Sequence, residues 1–75
     1  MADQTLDAKG LNCPLPILRA KKALQAMKPG ATLEVLATDP GAVQDFGAFC
    51  RTTGNALVES SVDGKVYRFV LRRAG

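Results

Sequence analysis

The residues able to do chemistry in this chain are few, and one cysteine stands apart by its setting. Cys13 lies in Asn12-Cys13-Pro14-Leu15-Pro16, between a strand-like stretch and an amphipathic helical run. Proline is tolerated in the first turn of a helix, where the backbone amide has no intrahelical partner. Two prolines spaced i, i+2 therefore read as a stiffened helix start, with Cys13 at or next to the N-cap. The thiolate is the reactive form of cysteine, and a helix start with free amides favours an anion. The expectation is a surface thiol that ionises more readily than a free cysteine. The chemistry implied is that of a sulfur nucleophile or sulfur carrier, with Pro14 and Pro16 as its structural support.

Other chemistries find little material. The chain has no histidine, which removes the usual general base, most zinc-site patterns and any Cys-His dyad. No metal and no cofactor are expected. Cys50 falls on an apolar stripe with Val43 and Phe46, and free cysteine is often buried, so it reads as a core residue. A thiol-disulfide enzyme pairing Cys13 with Cys50 is nevertheless one alternative. Leu11 and Leu15 form a small apolar collar around Cys13, and Arg19, Lys21 and Lys22 make the next helical turns basic. Asp39 precedes Pro40 as an N-cap would. Leu11, Leu15, Arg19, Lys22 and Asp39 are accordingly the candidate partner-docking residues. Arg68, Arg72 and Arg73 are the best nucleic-acid candidates, but few aromatics accompany them. Direct nucleic-acid binding is not expected, and a regulatory or RNA-binding module is the alternative reading.

The elements that must position Cys13 follow from hydrophobic periodicity. Thr5 to Lys9 alternates as a first strand, and Gly10-Leu11-Asn12 turns into a helix over about Pro14 to Lys28. That helix should bury Ile17, Ala20, Leu24 and Met27, with Leu18 beside them. Lys28-Pro29-Gly30 supplies a stop. Thr32 to Thr38 reads as a second strand and Pro40 to Thr53 as a second helix, burying Val43, Phe46, Phe49 and Cys50. Gly47 in its interior raises the suspicion of close packing or a functional contact, since glycine there costs about 1 kcal/mol relative to alanine. Ala56 to Val62 and Lys65 to Arg72 complete the set as a hairpin about Asp63-Gly64. The fold class is α+β: a two-layer α/β sandwich, βαβαββ, with two helices on one face of a mixed four-stranded sheet. Right-handed crossovers bring Cys13 and Asp39-Pro40 to one rim of the sheet. A third strand parallel to the first two would bring Asp63-Gly64 there as well.

Length and composition set the frame. Seventy-five residues make one small domain, 1–75, near the lower limit for a self-supporting core. Hydrophobic residues at 47% argue against disorder. Two cysteines do not make a disulfide framework, Met1 to Thr5 has neither a basic start nor an apolar run, and no stretch is apolar enough to cross a membrane. A reducing, cytoplasmic setting is expected. Ten Lys+Arg against seven Asp+Glu give a mild +3, which permits an acidic partner or RNA without requiring either.

Taken together, Leu6-Asp7-Ala8 followed by Gly10-Leu11-Asn12-Cys13-Pro14-Leu15-Pro16 is similar to the signature of the TusA/SirA/YeeD family of small sulfur-transfer proteins. Lys28-Pro29-Gly30, Asp39-Pro40, Phe49-Cys50 and Tyr67-Arg68-Phe69 extend the likeness over essentially the whole chain. The resemblance implies a sandwich like the C-terminal domain of translation initiation factor three, with sheet order 1-2-4-3 and strand four antiparallel. It implies that Cys13 accepts sulfane sulfur as a persulfide from a cysteine desulfurase or rhodanese-like donor and passes it to a downstream acceptor protein. tRNA thiolation, molybdenum cofactor biosynthesis and sulfur oxidation are the pathways such proteins serve. Leu15 stands where the tRNA-thiolation branch carries an acidic residue.

Overall fold

The computed structural model describes residues 2–74. Its elements follow the order β1 (Gln4–Ala8), α1 (Leu15–Gln25), β2 (Thr32–Ala37), α2 (Ala42–Thr53), β3 (Ala56–Asp63) and β4 (Val66–Arg72). The strands form one sheet in the order β1-β2-β4-β3. β1 pairs parallel with β2, whereas β4 is antiparallel to both β2 and β3. β3 therefore runs in the same direction as β1 and β2. The ends of β1 and β2 that feed the helices and the β3–β4 turn accordingly lie along one edge.

The core follows from alternation on the strands meeting a stripe on each helix. Leu33, Val35 and Ala37 of β2 and Phe69 and Leu71 of β4 point to the helices and are buried. Ala20 and Leu24 of α1 and Ala42, Phe46 and Phe49 of α2 close over them. Phe46 stacks tilted on Phe69 at 4.7 Å between ring centroids and meets Phe49 edge-on at 6.4 Å. The first is a tilted stack of ring faces, and the second sets a ring edge against a π-cloud.

Several expectations are corrected in detail. Pro16 is itself one of the largest fully buried side chains, while Leu18 is 54% exposed and Val43 45% exposed. The buried stripe of α1 thus starts from Pro16 and runs through Ala20 and Leu24, leaving Ile17 half-buried at its side. The helix also ends at Gln25 instead of Lys28. The amides of Ala26 and Met27 donate three residues back, to Ala23 and Leu24, tightening the last turn. Lys28, preceding a proline, is disfavoured in helical geometry. In the hairpin the loop is Gly64-Lys65 and not Asp63-Gly64, because Asp63 still pairs with Val66. Gly64 takes φ +61°, the positive value a tight two-residue turn asks of its first position. Nor is Gly47 a site of close packing: an added Cβ would meet only the Arg51 guanidinium, at 3.5 Å.

The sheet's open face carries a polar ladder across all four strands. Thr5 Oγ donates to Glu34 Oε1 at 3.1 Å, and Arg68 donates to Glu34 and, at 2.9 Å, pairs with Glu59. One guanidinium between two carboxylates leaves the centre of this face acidic. Arg68, a nucleic-acid candidate by sequence, is engaged within the protein. The edge strand β3 is exposed along its length and interrupted by a register shift between Leu57 and Glu59.

Two outcomes follow. Gly47→Ala should stabilise the protein by about 0.5–1 kcal/mol, read as a raised urea midpoint. The Arg68 and Thr5 hydrogen bonds hold the Glu34 carboxyl below the usual carboxylate range. Its stabilising share is therefore present above pH about 4.5 and fades as pH falls through the lowered folded value. Glu34→Gln should lower stability at neutral pH and flatten the acid limb of a stability–pH curve.

Candidate functional site

The site is built where two loops leave the same edge of the sheet. After β1, Gly10 takes φ +82° and its amide donates to Thr38 Oγ at 2.9 Å, so the first loop is already fastened to the end of β2. Three residues on, the Cys13 amide donates to Asp39 Oδ2 at 2.9 Å. The other oxygen of the same carboxylate, Oδ1, accepts from the Gly41 amide at 3.1 Å. Asp39 thus joins the backbone preceding α1 to the backbone preceding α2. It was expected to cap α2, but the N-cap position belongs to Gly41 and carries no side-chain cap.

Cys13 is exposed, and its peptide bond to Pro14 is cis. Pro14 is the N-cap of α1. The expected anion-friendly helix start is much reduced, and the cause is the motif itself. Of the four amides a helix leaves free at its beginning, Pro14 and Pro16 have none to offer. The Leu15 amide is taken by the Asn12 carbonyl at 2.8 Å. Only the Ile17 amide remains available.

Carboxylates then decide the thiol's acidity. Asp45, in the first turn of α2, faces the thiol as a hydrogen-bond acceptor and as a charge, and Asp39 adds a weaker repulsion. Both, together with desolvation of the sulfur, favour the protonated thiol, so the Cys13 pKa is raised where the sequence led us to expect it lowered. Burial raises Cys50 as well. That second cysteine lies in the core cluster, five residues and about 7 Å of helix rise beyond Asp45.

Cys13 opens onto an apolar groove of about 440 Å³ between the two helices. Its α1 wall is Pro14, Ile17, Leu18 and Lys21; its α2 wall is Asp45, Ala48, Phe49, Thr52 and Thr53. Each set repeats at i, i+3, i+4, i+7, the spacing of one helical face. Phe49 forms part of the core beneath the groove, and Leu18 is an exposed lip. Of the docking candidates read from sequence, Asp39 is brought to Cys13. Leu11 is half-buried and packs on the core, while Leu15, Arg19 and Lys22 are exposed on α1 outside the groove. Asp45 and the groove walls were missed. Their signal was the pair of matching helical faces, hidden because Leu18 and Phe49 look like ordinary core positions. Among the described residues no cluster of His, Cys, Asp or Glu could hold a metal ion, and no helix is long and apolar enough to cross a membrane.

The structure is thus a small two-layer sandwich that presents one exposed thiol, Cys13, at a proline-bounded helix start. The family model described as "Sulfurtransferase TusA" matches residues 4–73, and the chain belongs to that family. It is 58% identical over 72 residues to the sulfur carrier protein TusA of Allochromatium vinosum, an alignment covering 96% of this chain and 95% of that one. The crystal structure of a SirA-like protein from Desulfitobacterium hafniense superposes with a TM-score of 0.82 at 28% identity, covering 96% of this chain and 99% of the other.

Alkylation by iodoacetamide should therefore label Cys13 alone in the folded protein. The half-maximal pH should lie above that of the same thiol in the urea-unfolded chain, because the thiolate is the species that reacts. Cys50 should react only after unfolding.

Proposed function

We propose that this protein is a sulfur carrier in which Cys13 receives sulfane sulfur as a persulfide and hands it to a thiol of a partner protein. The observation that carries this reading is the exposed Cys13 sulfur, held by the Asp39 tether at the mouth of the helix–helix groove in a chain of the TusA family. The similarity to the sulfur carrier protein TusA of Allochromatium vinosum supports the same role.

The chemistry is simple in outline. The Cys13 sulfur attacks the outer sulfur of a donor persulfide, and the donor thiolate leaves. An acceptor thiolate later attacks the outer sulfur now on Cys13, and Cys13 leaves in turn. Thiolates are both nucleophile and leaving group, so no cofactor enters. The donor is a cysteine desulfurase or a rhodanese-like protein. The acceptor is a protein thiol in a relay toward tRNA thiolation, cofactor biosynthesis or sulfur metabolism. Pro14 and Pro16 hold the sulfur's direction, and Leu11, Leu15, Arg19, Lys22 and Asp39 surround or adjoin the surface a partner must approach. The chain acts as one domain in the cytoplasm. Dipole stabilisation at an exposed helix start is worth only about 0.3–1 kcal/mol and here has few amides behind it. Speed must therefore come from docking geometry.

Incubation with a cysteine desulfurase, its pyridoxal phosphate and cysteine, followed by intact-mass measurement, tests the reading. The protein should gain one sulfur atom that is lost on reduction. Cys13→Ser should abolish the gain and Cys50→Ser should leave it intact. A wild-type protein that stays unmodified, or a gain that survives Cys13→Ser, would refute it.

A further inference from the structure

Among the described residues, the surroundings of the Cys13 sulfur hold three charged groups. Lys21 comes from α1, Asp39 from the loop before α2 and Asp45 from the first turn of α2. Lys21 ends in an ammonium, which donates hydrogen bonds and has no lone pair to accept one. Asp39 already has both carboxylate oxygens on backbone amides, those of Cys13 and Gly41. Asp45 differs from both. It is half-buried, lines the same groove as Cys13 from the facing first turn of α2, and its carboxylate accepts no hydrogen bond from another residue among the described residues. The chain contains no histidine to do this work. The rest of the groove near the sulfur is apolar, formed by Pro14, Ile17, Leu18 and Ala48, so an entering persulfide meets one ionisable acceptor.

We propose that Asp45 is the proton-transfer residue of sulfur loading at Cys13. The step balances without any further reactant. Asp45 takes the proton of the Cys13 thiol as that sulfur attacks the outer sulfur of the protonated donor persulfide. A new S–S bond forms on Cys13 while the donor's own S–S bond breaks. The proton then passes from Asp45 to the departing donor thiolate. Cys13 thiol and donor persulfide become Cys13 persulfide and donor thiol. The carboxylate that holds the sulfur protonated at rest is the same group that removes the proton when an electrophilic sulfur is in place. This role rests on the carrier reading of Cys13 given above.

Asp45→Asn separates proton transfer from simple electrostatic suppression, because the two predict opposite effects. With the neutral amide, iodoacetamide alkylation of Cys13 at pH 7.5 should become faster, since the group that keeps the thiol protonated is gone. Persulfide loading from glutathione persulfide, followed by intact mass, should nonetheless become about tenfold slower. That is less than the 100-fold or more of a full general-base step, because a thiol is already a fair acid. Asp45→Glu should recover part of the loading rate and keep alkylation slow. Loading that is unslowed in Asp45→Asn would overturn the proposal, as would loading and alkylation slowed together, which marks mere damage to the site. Asp45→Ser supplies the same comparison should the Asn variant not fold. Wild-type loading is read in parallel. Its absence removes the carrier reading, whereas normal wild-type loading beside an equally fast Asp45→Asn removes only the role of Asp45.

Discussion

One carboxylate joins the two halves of this site. Asp39 accepts from the Cys13 amide with one oxygen and from the Gly41 amide with the other. The residues bridged are 26 or more apart from Cys13 in sequence, and each leads into a different helix. A hydrogen bond to a charged acceptor contributes more than one between neutral groups, about 1.5–3 kcal/mol where it is sheltered and less at a surface such as this. Its larger effect is geometric. With the backbone before α1 fixed to the backbone before α2, the sulfur, Asp45 and the groove walls keep a defined relation. A loop carrying Cys13 without that tether would have no reason to face α2.

The proline motif has two consequences that pull against each other. Pro14 and Pro16 set the start of α1, and Pro16 goes further by filling the core under that start. Yet every proline placed there deletes an amide, and the helix start loses much of its capacity to stabilise a thiolate. With the amides depleted, the two aspartates dominate. The result is a stiffly presented sulfur that stays protonated, a combination that a general rule about cysteines at helix starts does not anticipate.

The fold was legible in the sequence because its signals are local. Alternation marked the strands, Asp39-Pro40 and Gly54 marked the bounds of α2, and the crossover rule placed both helices on one face. The errors were of one to three residues, as at the Gly64-Lys65 turn and the early end of α1, where competing backbone bonds decide the boundary. The site was legible only in part. Cys13 could be picked out from its neighbours in the chain. Asp45 could not, because a first-turn aspartate six residues past Asp39 reads as an ordinary solvated acid until α2 is laid beside α1. Leu18 and Val43 were assigned to the core because periodicity reports an apolar face without saying what covers it. Leu18 turned out to line a groove instead.

The burial of Cys50 bears on how the protein withstands oxidants. A sulfur oxidised to the sulfenic state is commonly rescued by condensing with a nearby second thiol, and here that second thiol is sealed in the core. Rescue of the exposed Cys13 then falls to small thiols in solution, which cap it reversibly before the next oxidation to an irreversible acid. Peroxide attacks the ionised sulfur far more readily than the protonated one. By favouring the protonated form, the aspartates beside Cys13 lower the share of that sulfur present as the thiolate that small oxidants attack.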